Sequence, residues 1–506
     1  MKFTCSIFGK LISAFRITAI FLFMLCLLLN GCAPVGPNYA APKTAVSQQW
    51  QEPLKGGLIG SEIDPNALAA WWTTFNDAEL SSLIQRAVAG NLDVKQAQAR
   101  VREERARRGI AESAMFPTLN YSGSETWAHS SENSGTGKTN NLYSSGFDSS
   151  WEIDIFGGIR RSIEAAQGDL EAGQENLHDV LVTLVSEVAL NYVEIRTLQN
   201  RLDVVNKNLA TQQETYQLTL WGQESGLTDA LSAEQAKYNL ESTRSEIPSL
   251  HTSLEKAMNR IAVLLGDQPG NIHKELSAKP TVTEPLPCVP HKIAVGIPAD
   301  ILRRRPDIRQ AERELAAQTA RIGVATAELY PSFSLTGSIG VEAMSAHTFT
   351  HNLGSRDGYS WSGGPGVNWA LFQGGAIRQN IKVQTAIQEQ ALAIYETTVL
   401  IALEEVENAL VAYADEQERA DTLQQAAQAA QAAATFAEYD FRAGLVDFSS
   451  VLDAQRSQLS FQNQLAQSNG TVILNLVRLY KALGGGWNSF ALAAQYNQTQ
   501  KLNQEK

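Results

Sequence analysis

The sequence predicts a mixed α/β fold written twice in one chain, and three observations carry that prediction. Blocks of residues recur at an offset of 214 or 218 positions. Each block holds stretches in which apolar and small polar residues alternate with period two. Each then runs into a segment of helical period far longer than a compact domain holds.

Met1 to Gly31 carries Lys2, Lys10 and Arg16 ahead of the apolar run Ile17 to Leu29, with no Asp or Glu. That pattern is a secretory signal, removed on export. Its end, Leu29-Asn30-Gly31-Cys32, is similar to the lipobox of bacterial lipoproteins, in which the cysteine is acylated. Two readings are open for Cys32, acylation or cleavage nearby with a free thiol, and its position and flanks favour the first. Ala33 after the cysteine, in place of Asp, directs such a lipoprotein to the outer membrane. Cys5 and Cys26 fall in the signal, so Cys288 has no internal partner for a disulfide and reads as a buried, inert thiol. Without the signal's three basic residues the formal charge falls from −12 to −15, which does not favour nucleic acid. No cofactor beyond a covalent lipid on Cys32 is expected.

Residues 32–70 are rich in Pro, Gly and Gln and read as an extended leader. The first repeat is placed at 71–290, with a helix, a β-hairpin at 118–155, a helix pair at 159–265 and a connector. The second is placed at 291–486, with a helix, a hairpin at 332–371 and a helix pair at 376–483. Residues 487–506 form a Gln- and Asn-rich tail. Asn91 to Ala97 aligns with Arg305 to Ala311, and Gly109 with Gly323, at offset 214. Trp151 aligns with Trp369, Gly226-Leu227 with Gly444-Leu445, and Leu265-Gly266 with Leu483-Gly484, at offset 218.

In the hairpins, Tyr143, Phe147, Trp151 and Ile153 alternate with Ser144, Asp148 and Glu152, and Phe333, Leu335, Ile339 and Val341 alternate with Ser334, Thr336 and Ser338. An apolar face opposite a small polar one suits a lipid-facing barrel with a wet lumen. A soluble sheet with one solvated face is the alternative, and the lipoprotein start and the aromatic strand ends favour the membrane. Four strands cannot close a barrel, and open edges are not tolerated in lipid, so several copies of the chain must contribute. Beyond the signal no apolar run is long enough for a membrane helix.

In the long segments Leu184, Val188, Asn191, Ile195, Leu198, Leu202, Val205, Leu209, Gln212 and Tyr216 step by three and four, the seam of a left-handed coiled coil. The second copy keeps the phase with smaller residues, mostly Ala. Pro248 is expected to kink the first returning helix, whereas its counterpart is Ala466.

Ile297-Pro298-Ala299-Asp300-Ile301-Leu302-Arg303-Arg304-Arg305-Pro306-Asp307-Ile308-Arg309-Gln310-Ala311-Glu312, then Ala327-Glu328-Leu329-Tyr330-Pro331-Ser332-Phe333 and Leu452-Asp453-Ala454-Gln455-Arg456, strongly resemble the TolC-type outer-membrane efflux proteins in their lipoprotein, NodT-like branch. The resemblance covers nearly the whole mature chain. It implies a mixed α/β membrane protein: a homotrimer whose 12-stranded outer-membrane β-barrel is continued by a long α-helical coiled-coil barrel in the periplasm. It implies a passive channel in a tripartite efflux system for drugs or other small molecules, with a periplasmic adaptor and an inner-membrane pump of the resistance-nodulation-division class. Duct service for protein secretion, and a lipid-anchored coiled-coil scaffold that conducts nothing, remain as alternatives.

Read on spacing alone, Asp453 and Arg456 are an exposed i,i+3 pair. The resemblance implies instead a periplasmic gate, with Asp453 forming an acidic ring and Arg456 holding the closed state. It also makes Gly226, Leu227, Gly444, Leu445 and Ser449 adaptor-docking tips, with Leu231 replacing the hydroxyl expected in the first half. Gln235 stands in the first half where Asp453 stands in the second, and the smaller seam residues place the second turn nearer the axis. Asp447 reads as a helix N-cap. His347 and His351 lie at i,i+4 in an expected loop with no third ligand, so no metal site is expected. No phosphate loop, nucleophile elbow or zinc spacing gives an enzymatic reading anything to rest on.

Overall fold

The computed structural model describes residues 34–487, apart from 44–45, 48, 63, 134–136, 278–285, 288–289, 291 and 353–357, and apart from the side chains of 302, 303 and 352. The signal segment, Cys32, Cys288 and the tail from 488 onward lie outside the described residues.

In chain order the elements are β1 (Leu58–Ile59), α1 (Pro65–Ala69), a 3-10 turn (Trp71–Phe75), α2 (Ala78–Gly90), α3 (Leu92–Ser113), β2 (Thr118–His129), β3 (Thr139–Ile153), α4 (Gly158–Glu224), α5 (Ala230–Leu264) and α6 (His273–Leu276). The second half follows with β4 (Ile293–Ala294), α7 (Pro298–Arg304), α8 (Pro306–Ala327), β5 (Ser332–Ala343), α9 (Ala346–Asn352), β6 (Tyr359–Asn368), α10 (Ala376–Arg442) and α11 (Phe448–Ala482). At 67 residues each, α4 and α10 are about 100 Å long. Among the described helices none is long and apolar enough to cross a membrane.

Two expectations need correction. The leader does not stay extended to residue 70: Asp64 accepts from the Asn66 amide at 2.9 Å and Pro65 opens the first turn, so a short helix forms. His347 and His351 are not in a loop, because Ser345 caps α9 through the Thr348 amide at 3.1 Å. Pro248 lies inside α5, which continues through it to Leu264.

The chain divides into two compact units, each drawing on both repeats. Among the described residues, one takes those of 34–43, 101–173 and 311–395. Its sheet is antiparallel with strand order β2-β3-β5-β6, so β2 and β6 are the edges. Residues directly opposite share a face, and the register puts Tyr121, Phe147, Ile339 and Trp361 in one row and Asn120, Asp148, Ser338 and Ser362 in the next. The odd-numbered face carries Leu119, Trp127, Tyr143, Trp151, Ile153, Phe333, Leu335, Val341, Tyr359 and Val367; the even-numbered face is nearly all Ser, Thr, Asn, Gly and carboxylates. Across the join between halves Gly146 faces Gly340, and a Cβ on either would fall within 3 Å of the other strand's backbone. At the foot of the sheet the repeat is preserved in detail. The Trp151 indole donates to the Met115 carbonyl at 2.9 Å, and its twin Trp369 donates to that of Leu329 at 3.0 Å.

The other unit takes the described residues of 44–100, 174–310 and 396–487. Here β1 pairs in parallel with β4, and two helical hairpins dominate, α4 with α5 and α10 with α11. The coiled-coil seam is buried at Leu184, Val188, Ile195, Leu198 and Val205, and at the twin positions Ala402, Val406, Tyr413 and Leu423. Gly470 of α11 lies so close to α4 that a Cβ would come 2.0 Å from the Thr197 hydroxyl oxygen. Arg196 and Tyr192 are buried, bound respectively to Glu79 of α2 and to Asp77, the residue that caps it.

Candidate channel site: the paired turns and the apolar sheet face

Both turns end their long helix in the same way. Gly226 and Gly444 hold φ of 72° and 75°, a left-handed conformation that favours glycine. The Leu227 amide donates back to the Gly222 carbonyl at 2.8 Å, and Leu445 to Asp440 at 2.8 Å, the Schellman closure that satisfies otherwise orphaned carbonyls. Leu227 and Leu445 then point away from the chain, 83% and 74% exposed, and Leu231 and Ser449 are exposed beside them.

The two tips differ in how they are held. In the first, Asp229 caps α5 by accepting from the Ser232 amide at 2.9 Å, and hydrogen bonds from the Ser232 hydroxyl and then from its amide keep the carboxyl below the usual range. In the second, Asp447 occupies the N-cap position as expected, but its side chain makes no capping hydrogen bond. Packing replaces the cap. Phe448, whose counterpart is Ala230, is buried with Val451, Leu452 and Ala236 and stacks obliquely on Phe441 at 5.2 Å.

Asp453 and Arg456 are brought together, with Arg456 Nη1 donating to Asp453 Oδ1 at 3.0 Å. Asp453 remains 72% exposed on its side chain. Arg456 also donates Nε to Asn239 Oδ1 at 3.0 Å and Nη2 to the Tyr238 hydroxyl, with its guanidinium 5.2 Å from the centre of the Tyr238 ring. It therefore ties α11 of the second half to α5 of the first. Tyr238 and Asn239 were not singled out from the sequence. One signal was available: Tyr238 is the repeat twin of Arg456, 218 positions earlier.

The second candidate surface is the odd face of the sheet, where Tyr121 is 66% exposed, Ile339 58% and Trp361 81%. Apolar side chains on an outward face this wide need cover that the chain does not itself supply. No group of three His, Cys, Asp or Glu among the described residues is arranged to hold a metal ion.

Comparison with known proteins bears on both surfaces. The chain is 33% identical to Nodulation protein T of Rhizobium leguminosarum bv. trifolii over 481 residues, covering 92% of this chain and 97% of that one. It is 30% identical to the cation efflux system protein CusC of Escherichia coli K12 over 464 residues, covering 92% and 98%. Its fold matches the solved outer-membrane channel OprN with a TM-score of 0.82 at 35% identity, covering 90% of this chain and 99% of that one. The open state of the Neisseria gonorrhoeae MtrE outer membrane channel matches with a TM-score of 0.76 at 26% identity, covering 90% and 99%. The family model described as outer membrane efflux protein matches residues 83–267 and again 297–485, two segments whose starts lie 214 apart and whose ends lie 218 apart, the offsets of the internal repeat. The chain belongs to the outer membrane efflux protein family, a family of TolC-like channels.

Proposed function

We propose that three copies of this chain close a 12-stranded barrel in the outer membrane and act as the passive exit duct of a tripartite efflux system. The observation that carries this reading is the sheet. It is four-stranded with two open edges, apolar and exposed along one face, and small and polar along the other. Placed in lipid, such a sheet must pair both edges, and copies of itself supply matching strands. The polar face then lines the water-filled lumen.

Acylation of Cys32 would anchor the chain from the periplasmic side, and Pro34, two residues on, lies against Gly157 just past the end of β3. The exposed Leu227 and Leu445 turns, with Gly226, Gly444 and Ser449, dock a periplasmic adaptor. Asp453 and Arg456 form the gate, with the second turn nearer the axis. The relative named as part of a cation efflux system supports a pump partner, and the resemblance favours the resistance-nodulation-division class. Native mass spectrometry of the protein extracted from outer membranes tests the assembly. A trimer carrying acyl chains on Cys32 is expected, and a monomer would overturn the closed-barrel reading.

A further inference from the structure

Residues 34–39 are held in a built groove. The Val35 amide donates to the Phe156 carbonyl at 3.0 Å. Pro34 lies on Gly157, where a Cβ would come within 2.5 Å of it, and Gly36, at φ 88°, lies on Gly323, whose Cα would be 2.5 Å from a Cβ. Between these glycine contacts sits Arg161, its side chain 2% exposed. Its Nε donates to the Val35 carbonyl at 3.0 Å, and its Nη2 donates to the Gly36 carbonyl at 3.3 Å and to Asn38 Oδ1 at 2.7 Å. Its Nη1 pairs with Glu164 at 2.7 Å. Farther along, the Tyr39 hydroxyl donates to Glu312 at 2.9 Å and the Arg313 guanidinium lies 5.6 Å from the centre of its ring.

The internal repeat supplies a control. The groove joins α4 of the first half to α8 of the second. Moving each position by its repeat offset gives Gly375 for Gly157, Gln379 for Arg161 and Gly109 for Gly323. Gly375 keeps the left-handed backbone, with φ 88° against 82° at Gly157. A Cβ at Gly375 or at Gly109 would nevertheless meet nothing within 4 Å. The twin positions keep both glycines and lose the guanidinium, and among the described residues none lies within 4 Å of a Cβ at either glycine.

We propose that residues 34–39 are a strap that recognises the groove of Gly157, Arg161 and Gly323 rather than the repeat-related positions Gly375, Gln379 and Gly109, and that Arg161 is the residue that determines the choice. Only a planar fork donates at once to two carbonyls and a side-chain amide; a lysine ammonium is a point charge, and the glutamine at the twin position has too few donors. Without the strap, three donors of a buried guanidinium lose their partners, so strap and Arg161 hold each other. This inference does not depend on channel activity or on acylation.

Hydrogen exchange read by mass spectrometry on the full-length protein in detergent tests it, comparing wild type with Arg161→Gln, Arg161→Lys and Asn38→Ala. The peptide spanning Val35 to Tyr39 is expected to exchange about tenfold faster or more in both Arg161 variants, from the loss of charge-assisted bonds. In Asn38→Ala, which leaves the groove intact, the same peptide exchanges faster by a smaller factor while α4 keeps its protection. Wild-type protection in Arg161→Gln, full rescue by lysine, or unchanged exchange in Asn38→Ala would each overturn the assignment.

Discussion

Arg456 is bound on three sides, by a carboxylate, an amide oxygen and a phenol, and the phenol belongs to its own repeat twin. Removing the guanidinium would leave Asp453 without its ion pair and cut the polar tie from α11 to Tyr238 and Asn239. Tyr238→Phe is a milder cut, because it keeps the ring under the cation and drops only the hydroxyl acceptor. At this scale the sequence was partly legible. The i,i+3 spacing of Asp453 and Arg456 identified that pair, whereas Tyr238 and Asn239 are more than 200 positions away and only the folded chain brings them in. Leu445→Asp puts a charge on the second tip without touching the core, and site-specific crosslinking to the adaptor is expected to fall severalfold; unchanged crosslinking would remove Leu445 from the docking surface. Acid acts on the two tips differently. The Asp229 carboxyl is held below its ordinary range, so its cap contributes order above that range, and the contribution disappears as pH falls through the depressed value. Exchange at the start of α5 should therefore rise in acid relative to the start of α11, where Phe448 packing holds the turn instead.

At the scale of elements, the strand assignments came straight from period two because the large apolar residues of each strand fall almost entirely on one face. The α9 helix and the helical end of the leader were missed because each rests on a local cap, Ser345 and Asp64, that hydrophobic periodicity does not register. The faces make opposite predictions for the same substitution. Ile339→Lys places an ammonium on the apolar face and should cost about 2–4 kcal/mol if that face meets lipid. Ser338→Lys, one residue away on the polar face, should cost far less. Denaturant unfolding in liposomes separates them, and equal costs would contradict a lipid-facing sheet. The turns offer a cleaner backbone test. A Cβ at Gly444 meets nothing within 4 Å, so Gly444→Ala should cost only the left-handed backbone penalty, about 1–2 kcal/mol, seen as faster exchange of the Leu445 amide.

For the whole molecule, the repeat is the fact that organises the rest. It was legible as offsets of 214 and 218, and the family match divides at the same offsets. The division into compact units was not legible, because each unit takes elements from both halves and contacts between halves leave no periodic trace in the sequence. As proposed, copies of an open four-stranded sheet join into a conducting duct gated by Asp453 and Arg456. Single-channel recording in planar bilayers tests this most directly, on wild type and on the Asp453→Ala, Arg456→Ala double variant. Discrete channels are expected for both, with a severalfold larger unit conductance in the variant. Bilayers that stay silent with correctly assembled protein would contradict the duct, and equal conductance in the two proteins would contradict the gate.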